Sequence, residues 1–148
     1  MVCLGNICRS PMAEGIMRHK AEKYGLSLIV DSAGTGGWHA GECPDERAIE
    51  MMRSKGIDIS PLCARQFTPE DFDRFDRIYV MDATNYQDVM RLIRKPEDRE
   101  KVEMILNLAD AGKNRPVPDP YYGGRDGFEN VYNLLDEACE KIAKEFIQ

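Results

Sequence analysis

The stretch VCLGNICRS, residues 2–10, begins one residue into a chain of 148. Cys3 and Arg9 enclose Leu4, Gly5, Asn6, Ile7 and Cys8, and Ser10-Pro11 follows. Ser-Pro reads as a helix start, with serine as N-cap and proline in the first helical position. Ala13, Ile16, Met17, Ala21 and Tyr24 then recur at helical spacing, and Gly25 ends the run. Residues 3–10 therefore read as the turn between a strand and a helix. In an open α/β sheet, ligands lie outside the C-terminal ends of the strands, which makes this turn the expected site.

The rest of the chain alternates in the same way. The run LSLIV at 26–30 predicts a buried strand, and DSAGTGGWHAGE at 31–42 predicts a loop. Asp45 is placed to cap a helix carrying Ala48, Ile49, Met51 and Met52, closed by Gly56. RIYVM at 77–81 predicts a strand, 83–94 a helix stopped before Pro96, and VEMIL at 102–106 a third strand. A long polar loop fills 107–127, and a last helix from about Phe128 carries Val131, Leu134, Leu135, Ala138, Ile142 and Phe146 on one face. Strands alternating with helices predict an α/β fold with a parallel sheet. With no repeat and no linker-like stretch, residues 1–148 read as one domain.

Hydrophobic residues make up 43% and charged residues 31%, ordinary for a globular chain, and the net charge is −6. That acidic balance argues against nucleic acid as a partner. No run approaches the ~18 apolar residues of a membrane span, and no apolar leader opens the sequence, so the expected address is cytoplasmic. Five cysteines, an odd number, fit reduced thiols better than a disulfide framework. Cys43, Cys63 and Cys139 read as packed thiols, His19 and His39 as solvated side chains, and the charged run 94–101 as a solvated loop.

The turn itself carries chemistry. Five residues between Cys3 and Arg9 can curl their backbone N–H groups around one centre, and such a nest at a helix N-terminus binds an anion. Arg9 adds a planar fork matched to two phosphate oxygens, and the Ser10 hydroxyl can reach the Cys3 sulfur. Cysteines at helix N-termini or beside cations titrate below the free value of about 8.5. A thiolate under a tetrahedral oxyanion suits in-line attack on phosphorus. The leaving oxygen then needs a proton, and Asp119 in DPYYGG is the candidate donor, with Pro120 stiffening its loop and Tyr121 and Tyr122 as an aromatic wall. Cys3 and Cys8 lack the second Cys/His pair that a metal site requires, so no metal and no cofactor is expected.

VCLGNICRSPMAEG, DSAGTGGWHAGECPDERA, GIDIS followed by ARQ, YVMDATN and DPYYGG together resemble the low-molecular-weight protein tyrosine phosphatases, in order and along essentially the whole chain. The resemblance implies a four-stranded parallel sheet flanked by helices and metal-free hydrolysis of phosphotyrosine in proteins. It implies Cys3 as nucleophile, Arg9 as phosphate ligand, Asp119 as general acid and Ser10 beside the thiolate. Asn6 and Ser32 match loop-bracing positions, Trp38 and Tyr121 match the mouth of the pocket, and Cys8 matches a cysteine that bonds reversibly to the nucleophile. Phosphate, sulfate or vanadate is expected in the pocket. Two departures stand out. Only Met1 and Val2 precede Cys3, where relatives carry several more residues, so the first strand is expected to be nearly absent, through an upstream start or a loss. Leu62 stands where many relatives have a histidine that holds the loop asparagine, which predicts a looser Asn6. Two rival readings are a thiol-dependent arsenate reductase and a phosphotyrosine-binding module without turnover.

Overall fold

The computed structural model describes residues 1–121 and 123–147. Four short strands, β1 (Val2–Cys3), β2 (Ala33–Gly34), β3 (Ile78–Val80) and β4 (Val102–Met104), form one sheet. All pairings are parallel and the order is β2-β1-β3-β4, with Val2 facing Ala33 on one side and Val80 on the other. Among the described residues six α-helices accompany them: α1 (Arg9–Lys23), α2 (Glu46–Ser54), α3 (Asp71–Arg74), α4 (Ala83–Met90), α5 (Pro96–Glu100) and α6 (Arg125–Phe146).

Strand side chains alternate between faces, and the core divides accordingly. Cys3 and Tyr79 join Met12, Ile16, Met52, Leu135 and Ile142 in a cluster with α1, α2 and α6. Val2, Ile78 and Val80 join Phe67, Phe72, Val89 and Met104 on the other face. The four-stranded parallel α/β architecture expected from the sequence is the one observed, and α2 is capped as expected, the Asp45 side chain accepting from the Arg47 N–H at 2.9 Å.

Several local expectations are corrected. α1 begins at Arg9 with Cys8 in the cap position, so Ser10 and Pro11 lie inside the first turn. A proline is tolerated there because the first four helical N–H groups have no partner within the helix, and the Ser10 hydroxyl is used elsewhere. Residues 26–30 form no strand, and Ile29 is 90% exposed. The Met1 amine donates to the Asp31 carbonyl (3.1 Å) and the Ala33 N–H to the Met1 carbonyl (3.0 Å). β2 forms instead inside the stretch read as a loop.

The helix read over 83–94 stops at Met90, and Pro96 opens α5 rather than ending a helix. The charged run 94–101 is thus mostly helical, anchored by a buried Asp98 that accepts from the Arg94 N–H at 2.9 Å. Ile105 and Leu106 leave β4 for a 3-10 turn, Ile105–Leu108, and α6 starts at Arg125. Of the three cysteines read as packed thiols, Cys139 is buried, but Cys43 and Cys63 are exposed. Among the described residues, no helix is long and apolar enough to cross a membrane.

Candidate active site

β1 ends at Cys3, and the chain turns at once over the end of the sheet. Four carbonyls of the turn point outward: Cys3 accepts from Thr35 N–H (2.9 Å), Leu4 from Gly36 (2.9 Å), Ile7 from Asp45 (2.8 Å) and Cys8 from Met12 (3.1 Å). In a trans peptide the next residue's N–H opposes the carbonyl. The N–H groups of Leu4, Gly5, Cys8 and Arg9 are therefore turned the other way, the polarity of an anion nest. Gly34 makes room for this turn, since a Cβ there would lie 2.7 Å from the Leu4 carbonyl oxygen. Asn6 takes the left-handed conformation (φ +57°), which asparagine tolerates better than most residues. Its N–H points at the Cys3 sulfur, 3.3 Å away.

Behind the turn runs a chain of buried hydrogen bonds. Asn6 Nδ2 donates to Ser10 Oγ (2.7 Å) and to Ser32 Oγ (2.9 Å), and Ser32 Oγ donates to Glu14 Oε1 (2.7 Å). Ser10 Oγ accepts from Asn6 and has one proton to donate. The Cys3 sulfur at 3.0 Å is a nearer acceptor for it than the Ala33 carbonyl at 3.5 Å. Asn6 Oδ1 accepts from the Arg65 N–H at 3.0 Å. The expectation of a loose Asn6 is thereby corrected: a backbone donor holds its carbonyl, while Leu62 packs against the apolar cluster. Burial pushes the Glu14 carboxyl above its ordinary range, against the pull of Ser32 and of Arg18 at 2.7 Å.

Arg9 is buried, its side chain 4% exposed. Nη1 donates to Asp82 Oδ2 at 2.7 Å and to the Val117 carbonyl at 3.0 Å. Asp82 uses its other oxygen to cap α4 through the Asn85 N–H at 2.8 Å. Asp82 was missed as a site residue in the sequence; its place directly after the strand candidate 77–81, at the same sheet edge as Cys3, was the available signal.

Val117 also donates to the Met81 carbonyl at 2.8 Å, and from it the chain runs outward to Asp119, whose side chain is 46% exposed. Asp119 Oδ1 accepts from the Tyr121 N–H at 3.0 Å, and Oδ2 stands 4.0 Å from Arg9 Nη2.

These groups share one cleft of about 250 Å³, lined by Cys3, Leu4, Gly5, Ile7, Cys8, Arg9, Trp38, His39, Asp119 and Tyr121. Asn6, Ser10 and Ser32 stand behind it as braces. Trp38 is 72% exposed at the rim, its ring laid over Gly36, where a Cβ would meet it at 1.8 Å. His39, its side chain one-third exposed, lies beside Gly5 at the rim and pairs with Glu42 at 2.8 Å. Tyr122 lies outside the described residues. Burial, with the Asp45 carboxylate next in weight, pushes the Cys8 thiol well above its usual value. A larger cavity of about 320 Å³ between residues 27–33 and Arg77–Tyr79 shares no lining residue with this cleft.

A thiol at the centre of inward N–H groups, an anchored guanidinium and an acid over the same cleft make the class of site that handles a tetrahedral oxyanion beside a cysteine. Residues 1–148 match the family described as low molecular weight phosphotyrosine protein phosphatase, and the chain belongs to that family. It is 44% identical over 147 residues to the low molecular weight phosphotyrosine protein phosphatase of Schizosaccharomyces pombe, covering 97% of this chain and 92% of that protein. It is 43% identical over 143 residues to the low molecular weight protein-tyrosine-phosphatase YfkJ of Bacillus subtilis, covering 95% and 90%. The crystal structure of the protein tyrosine phosphatase of Entamoeba histolytica, with Hepes in its active site, superposes with a TM-score of 0.91 at 36% identity, covering 97% of this chain and 92% of that one.

Proposed function

We propose that this chain hydrolyses phosphotyrosine in proteins through a cysteinyl-phosphate intermediate, with Cys3 as nucleophile, Arg9 as phosphate ligand and Asp119 as general acid and then base. The observation that carries the reading is the position of the Cys3 sulfur, bonded by the Asn6 N–H and Ser10 Oγ, in one cleft with Arg9 and Asp119. In the first step the sulfur attacks phosphorus in line, the phosphorus–oxygen bond to the phenol breaks, and Asp119 Oδ2 gives that oxygen its proton. In the second, Asp119 takes a proton from water, which displaces the Cys3 sulfur and releases phosphate. The donors of residues 4–9 and the Arg9 fork stabilise the equatorial oxygens throughout.

Trp38 and Tyr121 stand at the mouth that takes the substrate ring. The Hepes bound in the Entamoeba relative's active site carries a sulfonate, itself a tetrahedral oxyanion, and phosphate, sulfate or vanadate is expected to bind here. Neither step requires a metal or cofactor. Cys8 serves as redox partner: peroxide converts Cys3 to a sulfenic acid, and the Cys8 thiol condenses with it, releasing water and leaving a reducible disulfide. Such a nucleophile works in a reducing compartment, which favours the cytoplasm.

The test is steady-state hydrolysis of p-nitrophenyl phosphate, then of a phosphotyrosine peptide, in the presence of chelator. Activity lost in Cys3→Ser is expected. Phosphate binding by a folded parent that turns over neither substrate would replace this reading with a binding module.

A further inference from the structure

Arg9 holds the acid loop at the Val117 carbonyl, and the first turn of α2 supports it further along. Arg47 lays its guanidinium over the Tyr121 ring, 5.3 Å from its centroid, and against the Phe128 ring at 5.0 Å, with Nη1 3.4 Å from the Gly123 carbonyl. Its orientation is fixed from the other side. Nε and Nη2 donate, both at 3.0 Å, to the two carboxylate oxygens of Asp45. Such a fork-to-fork pair holds the guanidinium plane as a lysine would not. Asp45 is in turn tied to the phosphate loop, its N–H donating to the Ile7 carbonyl at 2.8 Å. One short route thus joins the two chemical parts of the site: Ile7, Asp45, Arg47, then Tyr121 and Gly123. Tyr121 is the residue whose N–H holds Asp119 Oδ1. Among the described residues, Arg47 is not one that lines the cleft.

We propose that Arg47, oriented by Asp45, is a positioning residue that sets the Asp119 loop over the phosphate loop. The inference rests on the assignment of Asp119 as general acid. Arg47 acts on the proton and not on the phosphate, so its loss falls on substrates whose leaving group must be protonated.

The experiment compares kcat/KM for phenyl phosphate, a poor leaving group, with that for p-nitrophenyl phosphate, a good one, in the parent, Arg47→Ala, Asp45→Ser and Asp119→Ala. Serine preserves the helix cap at residue 45 but removes the carboxylate fork. The ratio of the two rates is expected to fall about tenfold in Arg47→Ala, the scale of a small misplacement of a reacting group, and in the same direction in Asp45→Ser. Arg47→Ala added to Asp119→Ala should leave the ratio where Asp119→Ala alone puts it. A ratio in both Arg47→Ala and Asp45→Ser within about twofold of the parent's, or an equal loss on both substrates, overturns the proposal while Asp119→Ala still lowers the ratio. If Asp119→Ala itself leaves the ratio unchanged, the acid assignment fails, and this proposal with it.

Discussion

The phosphate loop and the acid loop face each other across one cleft and are held by opposite means. In residues 3–10 the polar side chains are buried and bonded inward: Asn6 alone makes three side-chain bonds, to Ser10, Ser32 and Arg65. Residues 118–119, 121 and 123–126 are exposed, and the loop is anchored at the buried Val117 backbone and by turns such as Gly123 N–H to the Pro120 carbonyl. The difference follows the chemistry proposed for each. Binding three equatorial oxygens demands donors fixed before the substrate arrives. Moving a proton to the leaving oxygen, and later from water, demands a carboxyl that solvent and leaving groups of varied size can reach. The two regions meet at Arg9, which donates to the Val117 carbonyl and stands 4.0 Å from Asp119 Oδ2.

That contrast predicts how variants should separate. Changes in the phosphate loop should depress every substrate alike, and changes in the acid loop should depress substrates according to their leaving group. Cys3→Ser carries the largest effect, a loss of at least about 10⁴-fold with any aryl phosphate, with vanadate or phosphate binding retained by calorimetry. Asp119→Ala comes next, at about 10²–10⁴-fold on phenyl phosphate and less on p-nitrophenyl phosphate. Equal losses on the two would erase the division between the loops. Asp82→Asn follows, at roughly tenfold on both substrates: Arg9 loses a charged acceptor but keeps the Val117 carbonyl. A drop confined to phenyl phosphate would mean that Asp82 belongs to the acid side instead.

Much of this division was legible in the chain. Cys3, Arg9 and Ser10 declared a nest because their spacing and the following helix signal are local properties. Asp119 was legible because DPYYGG is the acid-bearing turn after the last strand. What failed depended on partners far away in sequence. LSLIV has the composition of a strand, but a strand needs a hydrogen-bonded neighbour, and on this side β1 pairs with Ala33–Gly34 instead. Ser10-Pro11 has the chemistry of a cap, but the Cys3 sulfur and Asn6 amide took the hydroxyl that would have capped. Asp82 read as one more fold residue because its bond to Arg9 spans 73 positions.

The smallest expected effect lies deepest behind the phosphate loop. Glu14 is buried, and its carboxyl keeps its proton to a higher pH in the folded chain than in the unfolded one. As pH rises through the ordinary carboxylate range, about 4.3 for glutamate, the unfolded chain releases that proton first. Folding stability is therefore lost progressively until the pH passes the raised native value. Glu14→Gln keeps the shape and has no proton to release. The melting temperature of the variant, minus that of the parent, should climb across this window and level off above it. Its kcat/KM should shift only a few-fold, equally for both leaving groups, because Glu14 reaches the Cys3 sulfur only through Ser32, Asn6 and Ser10. A melting difference that falls as pH rises would mean that the pairing with Arg18 outweighs burial.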